Sequence, residues 1–392
     1  MRMRLPCGVM GPRRDRGCIV IALWLAAAPF AGARAQSNLS SQGFGFPTGQ
    51  LSSRALGAGG SLGEMDPLSA LNPAAIALLG SRILFFQIEP EYRTVTTANG
   101  SEATTTARYP NVFGAMPIGR GFVISIGAST LLDRTATTSF NSTQFITPVD
   151  SVPMTTTFRI DGAMDDLRLA AGWTPVRWLR VGLGAHAITG HNLINLKQAF
   201  ADTTQFAGFS QTRVLGFSGS ALSAGFQLVG SSVVASASVR EGGRLRMNAE
   251  DTVLSSARVP NRYGVSIAYT GIANSTLSLR TSRDDWSSLG ALGTPGLVGV
   301  DAWDTSIGGD IAGPKIGDRI LFVRGGYRDR TLPFQAVGQT VTEKSITGGL
   351  GTAFASGHVL TDFAVLRANR SAGTVAASEH AWTVSIGISV LP

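Results

Sequence analysis

The chain has 392 residues, 44% of them hydrophobic and 15% charged, with 48 glycines, two cysteines and a formal net charge of +8. Both cysteines, Cys7 and Cys18, fall in a basic and apolar N-terminal stretch. The remainder has no thiol for a disulfide framework, a cysteine nucleophile or a thiolate metal site. Residues 1–35 hold six Arg against one Asp, so the chain without them carries +3, and no basic cluster interleaved with aromatics is left to bind nucleic acid.

In chain order, residues 1–35 come first. Arg2, Arg4, Arg13, Arg14 and Arg16 precede an apolar run from Cys18 to Phe30, and Ala33-Arg34-Ala35 fits a small-x-small cleavage site. The pattern predicts a secretory signal peptide, with the mature chain starting near Gln36.

Residues 36–80 are too many for a lead-in to a first strand and too apolar for a solvated tail. Ala55, Leu56, Met65, Leu68, Leu71, Ile76, Leu78 and Leu79 call for burial, while Pro67 and Pro73 break any long helix and the glycines allow tight turns. Gly57-x-Gly59-Gly60 is no phosphate cradle: no strand precedes it, the GxGxxG spacing is missing, and no Lys-Ser/Thr follows. The segment reads as a plug of short helical turns, housed inside whatever the rest of the chain builds.

From residue 81 to 392 the pattern has period two. Phe122, Ile124, Ile126 and Ala128 alternate with Val123, Ser125, Gly127 and Ser129; Trp382, Val384, Ile386, Ile388 and Val390 alternate with Thr383, Ser385, Gly387 and Ser389. Such segments are strands with one apolar face. They occur near 82–93, 107–117, 119–132, 159–173, 177–190, 211–228, 231–240, 256–270, 274–283, 301–311, 318–328, 342–354, 358–368 and 379–390, about fourteen in all. Long polar stretches (94–106, 133–158, 191–210, 241–255, 284–300, 329–341, 369–378) interleave with short turns. An even count of tilted strands, with short turns on one rim and long loops on the other, predicts an all-β, transmembrane antiparallel β-barrel of a single domain.

Two other architectures compete. A secreted β-sandwich would turn its apolar face inward and show a charged outer face, whereas here the second face is mostly Gly, Ser, Ala and Thr. A helical span would fit Val214–Val239, which has no charged residue, but seven Ser, four Gly and an internal Gly230-Ser231-Ser232 turn favour two hairpin strands.

Chemistry is sparse. Alternation puts His186 on the lumen face with Arg180, and puts Asp166, Arg168, Arg324, Arg328 and Asp362 on inward faces as wall-bracing ion pairs or a lining for a conduction path. The four histidines have no metal-binding spacing, so no metal or cofactor is expected. A Ser–His pair can be drawn from so many serines by chance alone, and no enzyme is expected. Trp173 and Trp178 flank a short turn, as girdle aromatics do.

The stretch "SSRALGAGGSLGEMDPLSALNPAAIALLG" resembles the N-terminal signature of FadL-like outer-membrane proteins and their PorV-type relatives. The matching positions are Arg54, Gly57, Gly59, Gly60, Asp66, Asn72, Pro73 and Ala74. The "GGYRDRTLPFQ" and "AWTVSIGISVLP" segments look at home there too. Ala58 stands where these proteins usually carry Met, and the chain closes on Leu391-Pro392 in place of an aromatic. The resemblance implies an outer-membrane barrel of a Gram-negative-type bacterium, in contact with outer-membrane lipid, that passes hydrophobic, fatty-acid-like small molecules past its plug. Leu56, Met65, Leu68 and Leu71 would then line the ligand. The alternative it implies is a non-transporting PorV-type scaffold that partners a secretion-machinery component.

Overall fold

Fourteen antiparallel strands, each hydrogen-bonded to the next, close into a barrel when the last pairs with the first from Ser378↔Thr96 to Val390↔Leu84. The computed structural model describes residues 45–97, 100–145, 151–202, 204–292, 299–316, 319–336, 338–373 and 378–392. The expected signal peptide, residues 1–35, and residues 36–44 lie outside the described residues.

The strands are β1 (Ile83–Thr97), β2 (Gly100–Arg108, continued by Asn111–Gly119), β3 (Phe122–Asp133, continued by Ala136–Phe145), β4 (Ser151–Val176), β5 (Leu179–Phe200), β6 (Phe209–Val229) and β7 (Val233–Ala249). They continue as β8 (Thr252–Arg258, then Arg262–Tyr269), β9 (Ser275–Asp284), β10 (Ala302–Ile316), β11 (Arg319–Ala336), β12 (Gln339–Phe354), β13 (Val359–Ser371) and β14 (Ser378–Val390). Two of the interruptions sit at Pro110 and Pro260, which have no N–H to give a ladder. The turn from β2 to β3 has Arg120 and Gly121 at φ 52° and 78°, the two left-handed residues of a type I′ hairpin.

Each expected strand overlaps one of these. The stretches read as long loops differ: much of 94–106, 133–158 and 191–210 is strand, and β4, β5 and β6 run for 26, 22 and 21 residues. Sequences such as Thr155-Thr156-Thr157 carry no apolar face, so the alternation test passes over them, but β-branched residues pair well once a neighbouring strand is in place. Only about ten residues of a tilted strand are needed to cross a bilayer, so the rest of these three strands stands above it. The described part of the 284–300 stretch has a 3-10 turn at Trp286–Leu292 whose Trp286, Leu289 and Leu292 are buried.

The apolar face points out. Ile126 is 69% exposed and Leu183 68%, and Tyr263, Val265, Ile267 and Tyr269 are exposed in a row. Trp173 stacks on Phe122 at 5.1 Å beside the turn occupied by Trp178, an aromatic pair at the rim of an apolar belt. The opposite face is buried and polar: on β1, Phe85, Gln87, Glu89, Glu91 and Arg93 alternate with exposed Leu84, Phe86 and Tyr92. Such a molecule is turned inside out relative to a water-soluble barrel.

Depth in the belt should decide what an outward charge costs. Leu183→Arg, four residues above the short turn at Leu179, is expected to lose about 2–4 kcal/mol, and Leu193→Arg on the overhanging part of β5 about 0–1. Urea titrations of refolding into lipid vesicles measure both.

Candidate functional site in the barrel lumen

Residues 45–80 lie in the lumen, bonded to inward side chains on most strands. Ser53 Oγ meets Ser385 Oγ of β14 at 2.7 Å, and Gln87 of β1 donates to the Leu51 carbonyl at 3.1 Å. Asn111 of β2 donates to the Leu68 carbonyl at 2.7 Å, and Thr347 of β12 to that of Gly57 at 3.0 Å. Gln50 donates to Ser129 of β3 at 2.7 Å and to Asp166 of β4 at 3.0 Å, and accepts from Arg240 of β7 at 3.0 Å.

The local folding of this segment follows from its side chains. Ser52 caps the short helix α1 (Ser53–Gly57) by accepting from the Ala55 N–H at 3.0 Å, and its hydroxyl donates to Asp66. Ser69 donates to the same carboxylate at 3.0 Å, so Asp66 ties the two ends of the loop together. Gly59, at φ +72°, ends the helix in a left-handed conformation, and a Cβ there would come within 2.9 Å of the Tyr327 nitrogen on β11.

Asn72-Pro73-Ala74 is a helix start of the same kind. Asn72 Oδ1 accepts from the Ala74 N–H at 2.9 Å, and Pro73 opens the 3-10 turn Pro73–Leu78 where its missing N–H costs nothing. Asn72 Nδ2 donates to Ser236 Oγ at 2.8 Å and to the Glu64 carbonyl at 3.0 Å. The wall makes room: a Cβ at Gly182 would strike the Pro73–Ala74 peptide, and one at Gly225 would strike Asn72 Oδ1.

Glu64 is the anchor at the centre. Its fully buried carboxylate pairs with Arg262, stands 3.5 Å from Arg280 Nε, and accepts from Ser238 Oγ at 2.6 Å. Its carbonyl accepts from Asn72, Ser236 and Gln227. Arg54 donates to Asp310 of β10 at 3.0 Å, and Asp310 and Asp362 share Arg324 at 3.3 and 2.5 Å.

Toward the long-loop end a second lattice begins. Glu91 pairs with Arg93, with Arg108 at 2.8 Å and with Arg370 at 2.9 Å; Glu343 pairs with Arg330 and Arg370, each at 2.6 Å. Asp304 holds Arg280 at 2.9 Å and Arg328 at 2.8 Å. Facing these charges is a packed apolar cluster. Leu132, Met164, Ile188, Phe217 and Leu245 on β3–β7 pack beneath Trp286, Leu289 and Leu292 of the long β9–β10 connection. At the seam lies a cavity of about 40 Å³, with Leu131 and Trp286 on one side and Arg240, Arg262 and Arg280 on the other. A larger groove of about 440 Å³ lies along strands β1–β4 beside Leu84, Gly114 and Ile126, whose side-chain row belongs to the outer wall.

His186 sits in a triad-like chain: Nδ1 is 2.8 Å from Asp166 Oδ1 and Nε2 is 2.8 Å from Ser223 Oγ. A nucleophile, base and orienting carboxylate are thus in line. Acyl transfer also needs N–H donors aimed at a developing oxyanion, and Ser223 lies mid-ladder between Gly184 and Arg240, where backbone N–H groups are committed to neighbouring strands. With Gln50 bonded to Asp166, the chain of bonds ties the N-terminal segment to β4, β5 and β6.

No protein-family model matches the chain, and no curated protein does. Solved structures do. A FadL homologue from Pseudomonas aeruginosa superposes with a TM-score of 0.59 at 11% identity, covering 88% of this chain and 99% of its own. The toluene transporter TodX of P. putida gives 0.57 at 12%, covering 90% and 99%, and the monoaromatic hydrocarbon channel CymD gives 0.56 at 12%, covering 87% and 97%. The fold is that of the FadL-type channels.

In this FadL-type lumen the eight signature residues fall into two groups. Arg54, Gly57, Gly59, Gly60 and Asp66 surround α1, and Asn72, Pro73 and Ala74 open the 3-10 turn. The four residues expected to line a ligand do not share one lining. Leu56 and Leu71 pack with Leu51 and Leu366, Leu68 packs with Phe85 and Phe113, and Met65 is half-buried. Leu78, expected to be buried, is 43% exposed at the short-turn end. Asp166, Arg168, His186, Arg324 and Asp362 are buried on the inward face, and half-buried Arg180 donates to Gln227 at 3.2 Å.

Sequence reading passed over Glu64 and most of the arginine lattice. The signal was present on β1, where Glu89, Glu91 and Arg93 share the parity of Phe85. Removing the Glu64 carboxylate strands the buried Arg262 guanidinium and takes one of two carboxylates from Arg280, so Glu64→Ala is expected to cost about 3–5 kcal/mol, against about 1 kcal/mol for the cap lost in Asn72→Ala. Urea midpoints, with trypsin cleavage at Arg54 reporting release of the segment, check the order.

Proposed function

We propose that the chain is an outer-membrane channel for hydrophobic small molecules, exported by the residue 1–35 signal, with residues 36–80 as a plug across its lumen. The observation that carries this reading is the apolar cluster packed beneath Trp286–Leu292 in the lumen. A pore for polar solutes keeps a water-lined path, whereas buried Leu, Ile, Met and Phe on six elements form a surface that water wets poorly and hydrocarbon wets well. Solutes enter at the long-loop end, rest against the apolar cluster, and meet the plug at the Leu71–Arg240 seam. Structurally similar proteins described as toluene and monoaromatic hydrocarbon channels support a hydrocarbon-like solute, with fatty-acid-like chains in the same class. The chemistry of the lumen is that of a passive conduit, with binding and no bond-making.

Met164 is fully buried in the cluster, so Met164→Asp places a carboxylate within the apolar part of the lumen without touching the belt. In cells lacking other hydrocarbon channels, native protein should raise uptake of labelled toluene and long-chain fatty acid, and Met164→Asp should lower it about tenfold, equivalent to about 1.4 kcal/mol. Equal uptake by both variants would sink the channel reading, and a stoichiometric co-purifying secretion component would turn it toward a scaffold.

A further inference from the structure

We propose that the guanidinium cage around Phe46 is a binding station for a small aromatic molecule, occupied here by the chain's own ring. The inference rests on the channel reading for the supply of ligand, and on geometry for the rest. The Phe46 ring centroid lies 4.5 Å from the Arg108 guanidinium carbon, 4.6 Å from that of Arg370, 4.8 Å from that of Arg330 and 5.7 Å from that of Arg93. All four are within the range at which a cation is attracted to a ring face, and the attraction strengthens as the cations are desolvated. Phe46 is 4% exposed and the four arginines are buried with it.

The cage is braced mainly by the wall, with one bond to the occupant's segment, from Arg330 to the Pro47 carbonyl at 3.1 Å. Arg108 is held by Glu91 and Asp133, Arg370 by Glu91 and Glu343, Arg330 by Glu343, and Arg93 by Glu91, all of them wall residues. Leu332 and Phe334 of β11 complete the apolar side. Phe46 itself enters on a two-residue bridge, Phe46–Pro47 against Asp133 and Leu132. Withdrawing it breaks few hydrogen bonds and leaves a pre-organised slot the size of a benzene ring. A saturated ring fills the same volume but presents no negative face to the cations, so the station discriminates by aromaticity and not by size.

The test uses the full chain in lipid nanodiscs and fluorobenzene as the probe, followed by ¹⁹F NMR. Phe46→Ala should give a saturable bound resonance about tenfold tighter than the native protein, which must first displace its own ring. Benzene should compete with the probe at least about tenfold better than cyclohexane. Phe46→Leu keeps apolar volume and loses the ring face; it should fall between the two and serves if Phe46→Ala does not fold. No saturable resonance in either variant, or cyclohexane competing as well as benzene, would overturn the proposal. Toluene uptake by the native protein is scored separately: uptake without cage binding ends this inference alone, and cage binding without uptake ends the channel reading alone.

Discussion

A closed barrel satisfies every backbone hydrogen bond of its wall and leaves its inward side chains to find partners of their own. In this protein that demand is met by charge. Arginines and carboxylates on the lumen face are too buried to rely on water, and each is stable only while its counter-ion stays in place. Glu64 shows the dependence most sharply, because it is a carboxylate from the N-terminal segment set between two wall arginines. The wall needs the segment as much as the segment needs the wall.

The lumen is therefore divided. On one side an ion-pair lattice runs from Arg54 and Asp310 to Arg370 and Glu343; on the other an apolar cluster is roofed by Trp286, Leu289 and Leu292. The cavity at the seam has carbon on one flank and nitrogen on the other. The lattice thus does more than brace the wall: it sets a polar boundary beside the apolar cluster.

Much of this architecture was legible in the sequence because the wall obeys a local rule. Period-two alternation needs only residues i and i+2, and it located all fourteen strands and the inward set of Asp166, Arg168, His186, Arg324 and Asp362. It was silent on Thr155-Thr156-Thr157, where both faces are polar, and so the overhanging strands read as loops. Which inward group meets which was hidden altogether. Glu64 and Arg262 lie 198 residues apart, and their meeting is fixed by barrel closure and register, neither of which leaves a mark in local sequence. The Asn72-Pro73-Ala74 turn is intermediate. Its capping chemistry is written in adjacent residues, but the need for Gly182 and Gly225 opposite it appears only when the strands are in position.

The hydrogen bond between Ser53 and Ser385 joins residues 332 positions apart. It lies beside the seam where β14 meets β1, and the segment that makes it also touches β2, β3, β7 and β12. A segment bonded to so many staves acts as a spoke as much as a filling: it spans the seam's neighbourhood and the far wall at once, so the closure of the hoop and the seating of the lumen residues reinforce each other in the finished structure.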